Sequence, residues 1–185
     1  MGKYKVCVYA ISKDEEQFVE RWMDAVSEAD LVVVLDTGST DETVGKLRKR
    51  GAIVYEDKIE PWRFDVARNK ALDYVPIDVD ICVSNDLDEV FEKGWRKKLE
   101  EVWRPFYTRA KYRFTWSYKA DSSPDKQFVM EKIHARNNFR WIHPVHEVLE
   151  YIGEEPDQSV AIYDIVLNHY PDLTKPRSQY LAFLE

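Results

Sequence analysis

The seven residues DLVVVLD, at positions 30–36, constrain the fold of this chain more than any other stretch. A continuous run of branched apolar residues between two acids is typical of a strand that is buried on both faces. Such strands occur in parallel sheets, because the connections between parallel strands place helices over the faces of the sheet. This stretch therefore predicts an α/β protein with a covered sheet.

Strands and helices alternate four times along the first hundred residues. Apolar runs predict strands at 4–11, 30–36, 52–57 and 79–84. Apolar spacings of three and four residues, and stretches that follow helix-start signals, predict helices at 14–29, 44–50, 64–74 and 93–103. This order predicts a mostly parallel central sheet with helices on both faces.

The pattern changes after residue 109. Segments separated by polar links predict antiparallel strands at 110–120, 127–135, 139–145 and 161–169, followed by a short helix at 177–184. We expect these strands to form a smaller, antiparallel sheet. The length favours a single domain over 1–185, built from a first half, 1–103, and a second half, 104–185.

Composition and charge exclude several classes of protein. Hydrophobic residues make up 44% of the chain, as in a globular protein, and the formal net charge of -7 argues against binding to nucleic-acid phosphates. No apolar run approaches the ~20 residues that span a bilayer, and the N-terminus becomes polar too soon for a signal peptide. We expect a cytoplasmic protein in which Cys7 and Cys82 are buried, reduced thiols.

Polar clusters follow three of the predicted strands. They begin at Ser12, Asp36 and Asp86, where the first, second and fourth strands end. Because ligands bind beyond the carboxyl ends of the strands in an open α/β sheet, these clusters predict a binding site at one edge.

Asp86 and Asp88 are two residues apart and point the same way in an extended segment. Two neighbouring carboxylates repel unless a cation neutralises them, and Mg2+ or Mn2+ shares such oxygen ligands with substrate phosphates. The alternative is a solvated turn of acids that stabilise the start of the following helix.

Two other segments have polar residues suited to a nucleotide. Gly38 permits a tight turn before a helix whose free N–H groups suit a phosphate or ribose, although the same residues could form only a turn. Arg68, with Asn69 beside it, lies on a predicted helix and is suited to planar contacts with a nucleotide. A salt bridge on the helix surface is the alternative.

Four motifs occur in the order SKDEEQF, LDTGSTDETV, WRFDVARNKAL and SNDLDEVF. Together they resemble the family 2 glycosyltransferases with the GT-A fold, closely over 4–92 and more loosely to the end. Two positions depart from the family pattern, namely Asp14, where Asn is usual, and Asn85, where apolar residues are common. The resemblance implies a Rossmann-like sheet with a smaller antiparallel sheet on the acceptor side.

The resemblance also implies roles for individual residues. Glu15 and Asp36 match positions that hold the ribose and base of a sugar nucleotide, and Asp88 matches the acid that binds the metal. Asp86 matches the acid that contacts the ribose, a metal-bound water or the metal itself. The remaining members of the expected nucleotide site are Ser12, Gly38, Arg68 and Asn69.

The second half completes the expected site. The segment WIHPVHEVLEY, 141–151, resembles the family's His-Glu segment, in which Glu147 is the expected general base and His146 the alternative. His169 is the expected last metal ligand. Lys175 and Arg177 are expected near the departing diphosphate.

The resemblance therefore implies an inverting glycosyltransferase that depends on Mn2+ or Mg2+ and uses a nucleotide-sugar donor, with UDP favoured. The acceptor stays open among a carbohydrate, a lipid-linked molecule, a protein and a modified base. A nucleotidyltransferase of similar fold and a non-catalytic sugar-nucleotide-binding module are the alternatives. Four aromatic residues of the second half either stack on a sugar or belong to the core, and the core is expected for most of them: Trp116, Tyr118, Trp141 and Tyr151.

Overall fold

A computed structural model describes residues 2–172 of the chain. The strands are β1 (Val6–Ser12), β2 (Leu31–Asp36), β3 (Ile53–Glu56), β4 (Ile81–Ser84), β5 (Glu89–Phe91), β6 (Arg109–Tyr118), β7 (Pro124–Ala135), β8 (Phe139–Ile142), β9 (Val148–Tyr151) and β10 (Ser159–His169). The helices are α1 (Val19–Val26), α2 (Thr43–Lys49), α3 (Phe64–Asp73) and α4 (Trp95–Val102). The helix predicted at 177–184 lies outside the described residues.

The central sheet has eight strands in the order β3-β2-β1-β4-β7-β6-β10-β5. Strands β3, β2, β1 and β4 are parallel neighbours, as the alternation predicted. Strand β7 lies antiparallel between β4 and β6, and β10 is parallel to β6 and antiparallel to β5. Strands β8 and β9 form a separate antiparallel hairpin.

The small second sheet consists only of this hairpin. Strands β6, β7 and β10, which we expected beside it, extend the central sheet instead. The composition of a segment can indicate a strand, but it does not identify the neighbouring strand.

Helices cover both faces of the sheet. Helices α1, α2 and α4 pack on one face, where Trp22 and Trp95 are fully buried against strand residues such as Val8. Helix α3 packs on the other face through Ala71 and Leu72. Burying each large apolar side chain stabilises the fold by about 1.5–3 kcal/mol, so this packing fixes the sheet whose edge carries the polar clusters.

Helix α1 begins at Val19, later than the apolar spacing predicted. The residues before it contact the loop that follows β2. The Asp14 amide donates to Ser39 Oγ at 2.8 Å, and the Glu15 amide donates to Thr43 Oγ1 at 2.8 Å. These bonds join the first two strand-end loops and hold the residues before α1 against the loop that follows β2.

Strand β5 was not predicted as a strand. It pairs with β10 so that Glu89 lies opposite His169. This pairing joins residues 80 positions apart in the chain and brings the last described strand beside the Asp86–Glu89 segment. It explains how a histidine from the second half reaches acids of the first half.

Cys7 and Cys82 are buried, free thiols on adjacent strands, as predicted. Burial raises the pKa of the Cys7 thiol to about 12 and raises the pKa of Cys82 as well. Both thiols therefore behave as small core residues. Within residues 2–172, no helix is long and apolar enough to cross a membrane.

Candidate active site

The predicted clusters lie at the carboxyl ends of β1, β2 and β4, which are parallel neighbours. The register pairs Ser12 with Asp36 at the ends of β1 and β2, and Tyr9 with Ser84 in β1 and β4. The segment 85–89 leaves β4 at this edge. The topology thus brings together the three clusters on which the prediction of a binding site depends.

The Asp36 carboxylate orders the loop after β2. Its Oδ1 accepts hydrogen bonds from the amides of Gly38, at 3.0 Å, and Ser39, at 2.8 Å. Its Oδ2 accepts from the hydroxyls of Ser12, at 2.8 Å, and Ser39, at 2.5 Å. Gly38 has a φ of 113°, a conformation that favours glycine. The loop is therefore preorganised, and the nucleotide roles of Ser12, Glu15, Asp36 and Gly38 stay predictions.

Arg68 lies between two acids from distant parts of the chain. Its terminal nitrogens donate to both oxygens of Asp86 at 2.8 and 2.9 Å, and its Nε donates to Glu147 Oε1 at 2.5 Å. The guanidinium also lies 5.0 Å from the ring centre of Trp141. Burial alone would lower the pKa of Arg68, but the two carboxylates raise it, so the side chain is charged.

Asp86 is ionised despite its surroundings. Burial alone would raise its pKa, but Arg68 and Lys132 hold the pKa well below its usual range. In the described structure both oxygens of Asp86 face these cations, and its expected contact with ribose or a metal-bound water stays a prediction.

Lys132, on β7, belongs to the same site, and the sequence did not indicate it. Its Nζ lies 3.6 Å from Asp86 Oδ2 and 3.5 Å from Glu89 Oε1. Burial alone would lower the pKa of Lys132, but the neighbouring Glu89 and Asp86 raise it. A lysine within a strand usually indicates a solvent-facing position, so no pattern in the sequence could have distinguished it.

Glu89 holds the segment 85–89 in its shape. Its Oε2 accepts a hydrogen bond from the Asp86 amide at 3.0 Å and another from Asn85 Nδ2 at 3.3 Å. Asn85 Oδ1 in turn accepts from Trp22 Nε1 at 2.7 Å. The departure from the family pattern at Asn85 is therefore matched by a buried hydrogen-bond partner on α1.

Asp88 and His169 contact each other directly. The distance from Asp88 Oδ2 to His169 Nε2 is 3.2 Å, and the Asp88 carbonyl accepts from the Tyr170 amide at 2.8 Å. The His169 imidazole stacks on Trp116, with ring centres 4.5 Å apart and an interplanar angle of 21°. Burial alone would lower the pKa of His169, but the bond to Asp88 raises it.

The spacing of Asp88 and His169 fits a shared divalent cation. Two adjacent ligands at about 2.1 Å from one ion lie about 3.0 Å apart, which is close to the distance between Oδ2 and Nε2. Carboxylate oxygen and imidazole nitrogen are both ligands that Mn2+ accepts. Within residues 2–172 no three His, Cys, Asp or Glu side chains form a metal-binding group, so an ion here needs water or substrate oxygens as well.

The structure separates the two candidate bases. Glu147 is largely buried and bound to Arg68, whereas His146 is exposed and has a φ of 56°. Both lie in the loop between β8 and β9, whose Pro144 carbonyl accepts from the Phe64 amide at 3.0 Å. Glu147 is therefore the candidate that lies beside the other site residues.

Asn69 joins α3 to the hairpin. Its side chain donates to the Trp141 carbonyl and accepts from the Trp141 amide, both at 2.8 Å. The Trp141 indole donates to the Tyr9 hydroxyl at 3.0 Å, and that hydroxyl lies 3.0 Å from His134 Nε2. These bonds use both polar groups of the Asn69 amide, and its nucleotide contact stays a prediction. Lys175 and Arg177 lie outside the described residues.

No protein-family model and no curated protein matches the chain. In structure the chain is similar to glucosyl-3-phosphoglycerate synthase from Mycobacterium tuberculosis. The complex of that protein with Mn2+, UDP and glucosyl-3-phosphoglycerate aligns with 98% of this chain and 76% of its own length, at 17% identity and a TM-score of 0.62.

Two further complexes of the same synthase align over a shorter region. The complex with Mn2+, UDP and phosphoglyceric acid covers 62% of this chain at 22% identity and a TM-score of 0.51. The complex with phosphoglyceric acid covers 60% at 21% identity and a TM-score of 0.50. In these alignments the chain spans 45% and 44% of the length of the synthase. Together with the topology, the comparisons show that the chain has the GT-A fold.

Proposed function

We propose that this chain is a metal-dependent glycosyltransferase that moves a sugar from a nucleotide-diphosphate sugar, with UDP favoured, to a hydroxyl acceptor. The observation that carries the proposal is the pair formed by Asp88 and His169, 3.2 Å apart at the carboxyl edge of the sheet. The presence of Mn2+ and UDP in complexes of the similar synthase supports the choice of ligands. We propose that 1–185 acts as one catalytic domain.

In this proposal Asp88 and His169 hold Mn2+ or Mg2+, and Asp86 stays close to that ion. A divalent cation bound there neutralises the negative charge that grows on the departing diphosphate. Lys175 and Arg177 are proposed to contact the same diphosphate, and the basis for this role is their sequence motif. The preorganised loops bind the nucleoside through residues supplied by the ends of β1 and β2: Ser12, Glu15, Asp36 and Gly38.

Glu147 is the proposed general base. It takes the proton from the acceptor hydroxyl as that oxygen attacks the anomeric carbon. Arg68 fixes the position of its carboxylate, and Asn69 fixes the hairpin that carries it. Attack on the face opposite the departing diphosphate inverts the anomeric centre. His146 is the alternative base, because its exposed imidazole belongs to the same loop.

The acceptor side includes an exposed aromatic residue. Trp116 is 42% exposed and stacks on His169, whereas Trp141 is only 3% exposed. Because the imidazole covers one face of the Trp116 indole, the exposed surface belongs to the other face and the ring edge. An exposed aromatic face beside a polar site is suited to an apolar face of a sugar ring. We therefore favour a carbohydrate acceptor.

The test of this function is thermal unfolding with a panel of nucleotide sugars, each with and without Mn2+. A ligand that binds only the folded state raises its melting temperature. We expect a rise of a few degrees for one donor, in the presence of Mn2+, that is lost in Asp88→Asn but kept in Asp73→Asn, which changes an exposed acid of α3. If no nucleotide sugar shifts the melting temperature with Mn2+, the proposal is wrong.

The products separate this function from its alternatives. A transferase releases the nucleoside diphosphate from a nucleotide sugar. A nucleotidyltransferase instead consumes a nucleoside triphosphate and releases pyrophosphate. A binding module gives the thermal shift but neither product.

A further inference from the structure

We propose that Lys132 is a positioning residue that holds the segment 85–89 in the shape that presents Asp88 to a metal ion. The inference rests on the proposed function for the identity of the ion. Lys132 would act through Asp86 and Glu89 and would touch neither the ion nor the substrate.

The location of Lys132 is unusual for a lysine. Its side chain is 16% exposed, and its ammonium lies between the carboxylates of Asp86 and Glu89. Removing an ammonium group from water is costly unless carboxylates compensate for the lost hydration. The two acids supply that compensation, so the position of the ammonium and the positions of the acids depend on one another.

The charges around Lys132 show why the segment needs it. Four acids and two cations meet in a charge cluster that consists of Asp86, Asp88, Glu89, Glu147, Arg68 and Lys132. The formal charges of these six side chains sum to -2, and His169 pairs with Asp88 at their edge. Arg68 reaches Asp86 and Glu147, while Lys132 reaches Asp86 and Glu89.

Glu89 transmits the effect of Lys132 to the backbone. One of its oxygens faces Lys132, and the other accepts from the Asp86 amide and from Asn85. The ammonium therefore holds the carboxylate that holds the turn. Asp88, two residues beyond Asp86 on that turn, faces His169 instead of Lys132. Lys132 thus separates the acids that shape the segment from the acid available to a metal.

Binding of Mn2+ alone, followed by electron paramagnetic resonance, distinguishes positioning from a simple charge effect. Removing a cation from the charge cluster makes it more negative, so a charge effect alone predicts tighter Mn2+ binding in Lys132→Met. The positioning role predicts the opposite, a loss of about 10-fold or more, as found for residues that orient metal ligands. Lys132→Arg should stay within about 3-fold of the parent, because it keeps the charge.

Hydrogen exchange of the Asp86 amide, measured without metal, tests the positioning directly. In Lys132→Met we expect this amide to lose about 10-fold or more of its protection, because local opening exposes it. Lys111→Met is the matched control, since Lys111 lies on the adjacent strand and contacts Glu131 at 3.2 Å. This control should leave the Asp86 amide unchanged.

Two outcomes overturn the inference. One is unchanged Asp86 protection in folded Lys132→Met, and the other is Mn2+ binding that is equal or tighter. If Lys132→Met does not fold, Lys132→Gln replaces it, because a neutral amide fits between the two acids but lacks the charge. Loss of Asp86 protection by about 10-fold or more in that variant supports the role, whereas unchanged protection contradicts it.

Failure of the proposed function gives a different result. If the parent protein does not bind Mn2+ but protection of the Asp86 amide is still lost in Lys132→Met, the positioning role stands. In that case the proposed metal-dependent transfer is wrong.

Discussion

Arg68 donates a hydrogen bond from Nε to Oε1 of Glu147 at 2.5 Å. The same guanidinium binds Asp86 through two further hydrogen bonds. One side chain of α3 thus joins the loop of the β8–β9 hairpin to the segment that follows β4. Arg68 therefore binds both Glu147, the candidate base, and Asp86, the first acid of the sequence DLD at 86–88.

Loss of that cation should destabilise the protein strongly. Arg68→Met leaves Asp86 and Glu147 without their main partner, and breaking a buried ion pair from one side costs about 3–5 kcal/mol. We expect urea denaturation to show a loss of this size. Arg140→Met is the control, because Arg140 pairs with Glu150 at the surface, where such pairs contribute about 0–1 kcal/mol. Equal effects of the two substitutions would contradict the arrangement around Arg68.

Replacement of the proposed base should slow transfer without weakening donor binding. Glu147→Gln keeps an oxygen that can accept from Arg68 but removes the proton acceptor, and a general base contributes about 100- to 10,000-fold. We expect the rate of transfer to fall by that factor, while the dissociation constant of UDP, the nucleotide part of the proposed donor, changes less than about 3-fold in calorimetry. His146→Asn should retain most of the rate. The reverse pattern would identify His146 as the base.

Substitution of either proposed metal ligand should weaken Mn2+ binding. Loss of an outer-shell partner already costs about 10- to 100-fold in affinity, and a direct ligand should cost at least as much. We expect Asp88→Asn and His169→Gln each to raise the Mn2+ dissociation constant by about 10-fold or more in titrations without donor. His143→Asn, which changes an exposed histidine, is the control. Unchanged affinity in both variants would exclude the site.

The stability of the protein should fall in acid because of His134. Burial, as the main cause, lowers the pKa of His134 to about 3. Its imidazole is therefore neutral in the folded state, whereas the unfolded chain binds a proton below about pH 6.5. This contribution to stability is fully present above pH 6.5 and is lost by up to about 1.4 kcal/mol per pH unit as the pH falls towards 3.

The measurement compares the free energy of unfolding of the parent and of His134→Gln between pH 7 and pH 4. The free energy of unfolding of His134→Gln should fall less steeply with decreasing pH than that of the parent, whereas His143→Asn should show the same pH dependence as the parent. Parallel curves for the parent and His134→Gln would show that the imidazole is not held neutral.

Substitution of Trp116 should weaken the binding of a sugar acceptor and leave the donor side of the site unchanged. We expect Trp116→Phe, which keeps a ring against His169 with a smaller exposed face, to weaken the binding of methyl pyranosides in saturation-transfer NMR. Mn2+ affinity should change less than about 3-fold, because no metal ligand is altered. Phe106→Leu, at a residue that is 59% exposed elsewhere on the surface, is the control. Unchanged pyranoside signals would contradict the sugar platform.

Much of the first half could be predicted from the sequence. The run 30–36 gave β2 almost to the residue, because a strand buried on both faces leaves an uninterrupted apolar signal. The convergence of the loops at Ser12, Asp36 and Asp86 followed from parallel topology alone. The late start of α1 could not be predicted, because the residues before it contact Ser39 and Thr43, which are distant in sequence.

The second half was less predictable for a physical reason. Four of its five strands were predicted, but β9 was not, and the partners of β6, β7 and β10 depend on contacts between distant residues. The resemblance placed Glu147 and His169 among the site residues. In the structure Glu147 contacts Arg68 and His169 contacts Asp88, both of which belong to the first half. Lys132 could not be found, because its residue type and its position in the strand both favoured solvent.

The hairpin β8–β9 has a small core of its own, formed by Phe139, Trp141 and Leu149. It contacts helix α3 through Asn69 and Arg68, whose partners are the Trp141 backbone and the Glu147 carboxylate. It contacts the central sheet through Tyr9, which binds the Trp141 indole, and through Arg109, which binds the Leu149 carbonyl. Under the proposed function this hairpin carries the acceptor side, so substitutions on its exposed surface that spare these contacts should leave the nucleotide-binding edge of the sheet unchanged. Variants of that surface are therefore a direct route to altered acceptor choice.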